Sequence, residues 1–154
     1  MKALIERQLN RYGIASLEFK TPVLLECPPC RDDFDVWQNI TVSVIMHGLP
    51  QSFVIRAKMS TDLASVPREL WSFVPPHRRI KRPAVFHDGL YQDRHWIIMP
   101  ETASRRITRG EADALLYVGC LAEGMDEDTC ERVYLAVRVG GSHVWHAHDG
   151  AFIE

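Results

Sequence analysis

The sequence predicts one α+β domain, a small N-terminal antiparallel β-sheet packed on a C-terminal layer of roughly three helices. Two observations carry this. β-Rich runs fall within residues 1–60 and helical patterning dominates 61–140, and no repeat, low-complexity tract or linker separates the two parts. A chain of 154 residues, 46% hydrophobic and 25% charged, is long enough to bury a core without disulfide or metal staples. Residues 141–154 form a His-rich tail.

The elements follow in order. Pro22–Glu26, Ile40–Met46 and Phe53–Ala57 are β-rich, the second alternating and rich in β-branched side chains. His47-Gly48-Leu49-Pro50 is a turn signal and predicts a hairpin between the second and third runs. Pro83, whose missing N–H costs nothing in a first turn, opens a helix carrying His87, Asp88 and Tyr91. Thr108-Arg109-Gly110-Glu111 reads as a capping box for a second helix, on which Ala112, Leu115, Leu116, Gly119 and Ala122 repeat with helical spacing. Asp126 is an N-cap for a last helix facing inward through Cys130, Val133, Tyr134 and Val137 and stopped by Gly140-Gly141.

A net charge of −2 and a pI near 6.4 give no global case for nucleic acid or anionic membrane as a partner. The basic run His77–Arg82 reads as a solvated loop. Met1–Arg7 lacks an apolar leader core, and no apolar run approaches the ~18 residues of a transmembrane segment. Synthesis and folding in a cytosol are expected, with four reduced cysteines. Cys27-Pro28-Pro29-Cys30 has the spacing of zinc knuckles and redox motifs, but no second such pair exists and Cys120 and Cys130 fall on different predicted helices.

The chemistry-bearing residues lie in three segments. His87 and Asp88 sit side by side in an apolar stretch, with Tyr91 one helical turn after the His; burying such a pair is costly unless its polar atoms find partners. Asp113 lies at the edge of the apolar face of the next helix, with Arg109 one turn before it. If these helices pack together, Asp113 orients His87 through one ring nitrogen and leaves the other to act as a general base on water. An Arg109–Asp113 i,i+4 ion pair and a hydrogen-bonded core histidine are the structural alternative. In Thr61-Asp62-Leu63-Ala64-Ser65-Val66-Pro67-Arg68, Asp62 and Ser65 can cap backbone N–H groups; alternatively Asp62 is a metal ligand and Arg68 holds an anion. The tail from Ser142 to Asp149 offers His143, His146 and His148 either as metal ligands or as a flexible terminus.

The series T-D-L-A-S-V-P-R (61–68), A-V-F-H-D-G-L-Y (84–91), R-G-E-A-D (109–113) and Y-L-A-V-R-V-G-G (134–141) resembles a bacteriophage and prophage family known as a domain of unknown function. That resemblance implies a phage gene product, encoded near tail or lysis genes, with tail or other virion proteins as partners. The H-D-x-x-Y helix with a distant Asp is also similar to the secreted and parvoviral phospholipases A2. In those enzymes the His activates water, the adjacent Asp binds calcium, and the far Asp and the Tyr steady the His. The counterparts are His87, Asp88, Asp113 and Tyr91, although the Gly-rich calcium loop and the disulfide framework of the secreted enzymes are missing.

The combined expectation is a His–Asp-centred hydrolase-like site acting on lipid ester or cell wall during entry or lysis. His87, Asp113 and Tyr91 are its catalytic group, Asp88 and Asp62 its divalent-cation site, and Arg68 or Arg109 its anion contact. Oxygen ligands favour calcium or magnesium, and His87 as an added ligand favours zinc. The alternative is a non-enzymatic component of the tail or tail tip, made in the host cytoplasm and carried into the virion, in which the same residues form a buried network.

Overall fold

The computed structural model describes residues 1–61, 79–93, 95–98 and 103–147. Five helices and eight strands occur among them: α1 (Lys2–Tyr12), β1 (Ile14–Phe19), β2 (Leu25–Glu26), β3 (Phe34–Val36), β4 (Ile40–Met46), β5 (Leu49–Ile55), β6 (Ser60–Thr61), α2 (Lys81–Asp93), β7 (His95–Ile98), β8 (Ala103–Arg106), α3 (Arg109–Ala122), α4 (Glu127–Gly140) and α5 (Ser142–Ala147). The larger sheet has the order β1-β4-β5-β7-β8 and every pairing in it is antiparallel. A smaller sheet, β2-β3-β6, stands beside it. The chain is therefore α+β, strands first and helices mostly after.

The predicted hairpin is β4–β5. Met46 pairs with Leu49 across His47-Gly48, and both turn residues have positive φ, 51° and 75°. That is the two-residue turn whose twist matches paired strands, and Gly48 takes its left-handed conformation without a Cβ penalty. β5 begins at Leu49, earlier than the hydrophobic run suggests, so Pro50 lies inside it opposite Ile45. Ile40, Val42, Val44 and Met46 are buried on one face of β4, each side chain contributing roughly 1.5–3 kcal/mol. Against this face stands Phe86 of α2, edge-on to Phe19 and Phe53 at 6.1 and 5.4 Å.

α3 is the centre of the helical layer. It packs on α1, α2, α4 and β1, and every residue from Glu111 to Cys120 is buried. The capping box forms as expected: Thr108 Oγ1 accepts from the Glu111 N–H, and Glu111 Oε2 accepts from the Thr108 N–H. Asp126 caps α4 by accepting from the Thr129 N–H.

Four local expectations are corrected. Residues 2–12 form a helix, because Ile5, Leu9 and Tyr12 share one face and pack on the core. β7 and β8 extend the sheet from within the segment read as helical, where β5 supplies an edge for pairing. Of Pro22–Glu26 only Leu25–Glu26 is strand. The start of the tail is helix α5, not a loose end, and Trp145 packs on Tyr91 with ring centroids 5.0 Å apart.

Candidate functional site: a His–Asp centre between three helices

α2 and α3 pack together and bring His87 and Asp113 into contact. His87 Nε2 lies 2.7 Å from Asp113 Oδ1, and both side chains are 0% exposed. An ionised carboxylate only accepts, so the imidazole donates through Nε2–H. The Tyr91 hydroxyl, one turn along α2, donates to the same Oδ1 at 2.7 Å. Arg138 of α4 donates from Nη1 to Oδ2, also at 2.7 Å. The carboxylate is thus held from three sides by three side chains on two helices other than its own.

Burial by itself would push the Asp113 carboxyl upward. The hydrogen bonds and charges of His87, Tyr91 and Arg138 outweigh it and hold the group below the usual carboxylate range. Burial, reinforced by the Asp113 charge, pushes the Tyr91 phenol far above its usual value, so its proton stays in place as a donor.

Arg109 does less for Asp113 than its i,i+4 spacing suggests. Its Nε stands 3.8 Å from Oδ2, beyond hydrogen-bond reach, and 3.4 Å from the Tyr91 oxygen. Its Nη2 instead donates to the carbonyls of Val137 and Arg138, at 2.8 and 2.7 Å, satisfying acceptors at the open end of α4. Arg109 therefore ties the start of α3 to the end of α4. The neighbouring Gly141 makes room for this junction, since a Cβ there would stand 2.6 Å from the Val137 carbonyl oxygen and 2.8 Å from the Tyr91 hydroxyl.

Asp88 is tied to β6. It is 8% exposed and accepts a hydrogen bond from the Thr61 hydroxyl, while Gln92 donates to the Ser60 carbonyl at 2.9 Å. The start of the Thr61–Arg68 motif is thereby fastened to α2 beside His87. Asp62 and Arg68 themselves lie outside the described residues, as do His148 and Asp149. Among the described residues no three His, Cys, Asp or Glu side chains converge as metal ligands. The described residues alone do not supply three His, Cys, Asp or Glu ligands at Asp88.

The remaining sequence candidates have other roles. Arg79 donates to the Gly124 carbonyl, and Arg82 forms a two-pronged pair with Glu123. Arg79 and Arg82 of the basic run thus reach the end of α3, while Arg79 and Lys81 remain exposed and His77 and Arg78 lie outside the described residues. Cys27 and Cys30 are exposed whereas Cys120 and Cys130 are buried, so the four do not make one site. Sequence reasoning missed Arg138 and Trp145. Arg138 lies inside Y-L-A-V-R-V-G-G, but nothing in its spacing from Asp113 indicates that α4 delivers it to that carboxylate.

What the cluster offers chemically is an oriented imidazole with one nitrogen that the described residues do not use. His87 Nδ1 is buried and has no hydrogen-bond partner among the described residues. No curated protein and no solved structure matches the chain. A family model does match, over residues 38–137, a segment that runs from β4 to the end of the apolar face of α4 and contains both His87 and Asp113. Its description is "Protein of unknown function (DUF1353)", and the chain belongs to that family.

Proposed function

We propose that the chain is a bacteriophage protein whose His87–Asp113 pair is the general-base centre of a hydrolase-like site acting on cell-envelope esters or cell wall. One observation carries the reading: Nε2 is fixed on Asp113 while Nδ1 has no partner among the described residues. A histidine kept only for structure gains from using both ring nitrogens. A buried polar atom left unsatisfied costs about 1–3 kcal/mol. General-base catalysis needs that unused lone pair.

In this reading Nδ1 takes a proton from water as the water oxygen bonds to the substrate carbonyl carbon. The proton then passes to the leaving oxygen as its bond to carbon breaks. Asp113 stabilises the transient imidazolium, and Tyr91 and Arg138 keep the carboxylate in place. Arg68 or Arg109 would hold an anionic substrate group, and Asp88 with Asp62 would hold calcium, magnesium or zinc; such a cation would supply Lewis-acid polarisation of the carbonyl. The phage assignment is supported by the order and identity of the four motifs.

The complete burial of His87 and Asp113 favours a second reading, a virion component of the tail or tail tip in which the cluster locks the helices together. The test that separates them incubates the purified protein with phospholipid vesicles and with peptidoglycan sacculi, with each of the three cations. Fatty-acid or muropeptide release that His87→Gln lowers about 100-fold or more, with the denaturation midpoint retained, supports the enzyme. No release from either substrate leaves the virion component, to be sought by mass spectrometry of purified particles.

A further inference from the structure

Beside the Asp113 cluster, but separate from His87, a groove of about 600 Å³ opens between α1, α3, α4 and α5. Three guanidinium groups line it, those of Arg11, Arg109 and Arg138. Leu4, Leu135 and Trp145 form its apolar part. No Asp or Glu is among its lining residues. Setting the Asp113 carboxylate behind Arg138 against the three guanidinium groups, the side chains described at the groove carry two positive charges, on a chain whose net charge is −2.

Not all of this charge is spent on the fold. Arg138 uses Nη1 on Asp113 and its side chain is 36% exposed. Arg11 is exposed and, among the described residues, only overlies the Tyr12 ring at 5.6 Å. Arginine forks suit oxyanions, and a doubly positive groove matches the roughly −2 charge of a phosphate monoester better than the single charge of a carboxylate. The volume lies within the ~300–1,000 Å³ of small-molecule sites, and the leucines and Trp145 leave room for an apolar body beside the anion.

We propose that this groove binds an organic phosphate monoester, with the phosphate on Arg11 and Arg138 and its apolar part against Leu4, Leu135 and Trp145. The site stands whether or not His87 acts on a substrate.

Isothermal titration with phenyl phosphate, inorganic phosphate and benzoate tests it. Phenyl phosphate should bind about tenfold more tightly than either of the others, and Arg11→Gln should weaken it about tenfold while leaving the thermal midpoint unchanged. A second arm uses vesicles containing phosphatidic acid. Co-flotation that Arg11→Gln abolishes assigns the phosphate to a lipid headgroup, and soluble binding without co-flotation assigns it to a free phosphate ester. No heat with phenyl phosphate up to about 10 mM, equal binding of benzoate, or binding that Arg11→Gln leaves unchanged overturns the proposal.

Discussion

Asp113 is a charge in a place where charges are expensive, on a helix whose residues Glu111 to Cys120 are all buried. Its two oxygens serve different partners. Oδ1 collects the donors His87 and Tyr91 from α2, and Oδ2 meets the cation Arg138 from α4. Removing a donor and removing the carboxylate charge should therefore differ greatly. In Tyr91→Phe the bond to Asp113 and the long one from Arg109 are lost but the ring still packs on Trp145, a cost of about 1 kcal/mol. In Asp113→Asn the amide group presents N–H donors where Arg138 also donates, and a half-buried guanidinium loses its partner. Breaking a buried pair from one side costs about 3–5 kcal/mol. Guanidinium denaturation of the two variants should show this order, and equal losses would mean that packing, not charge, holds the cluster.

At the level of elements, legibility followed how local each signal is. The β4–β5 hairpin, the Thr108–Glu111 capping box and the Asp126 N-cap are written in contiguous residues, and the structure has all three. α1 was legible too, in the spacing of Ile5, Leu9 and Tyr12, but those few residues compete with a strong impression of β-structure just after them. β8 was not legible, because Ala103–Arg106 has no strand pattern and is strand only through its pairing with β7. The site divides the same way. His87, Tyr91 and Asp113 stand at positions that helical spacing turns inward. Arg138 reaches Asp113 only through the tertiary placement of α4, which no spacing encodes. That placement depends on the α4–α5 junction, where Gly141 lets Val137 and Tyr91 approach. Gly141→Ala forces backbone or Tyr91 to move and should cost about 1–3 kcal/mol. Thr108→Ala, which removes one cap from α3, should cost about 1 kcal/mol. Near-UV circular dichroism distinguishes them further, since only Gly141→Ala should disturb the Tyr91–Trp145 contact.

For the whole molecule, the Asp113 cluster joins elements that are far apart in the chain. α2, α3 and α4 each contribute a polar group to it, and α5 covers it through Trp145. Stability should therefore depend on pH as one cooperative property. Asp113 has a depressed folded-state pKa, so its contribution is present above the unfolded carboxyl value, about 3.9, and is lost as pH falls through the lower folded value. Tyr91 has a raised folded-state pKa, so its contribution is present below the unfolded value of about 10 and is lost as pH rises towards the higher folded one. Asp33 and Asp126, also depressed by their hydrogen bonds to Ser60 and Thr129, add to the acid limb in wild type and variant alike and cancel in a comparison. Urea midpoints measured across the range should then form a plateau at neutral pH with a separate fall at each end. The gap between wild type and Asp113→Asn should be widest on the plateau; it should begin to narrow as the medium is acidified below the unfolded carboxyl value, about 3.9, and close through the lower value at which folded Asp113 gains its proton. A gap that stays constant to the acid limit would show that the charge of Asp113 is not what ties the three helices together.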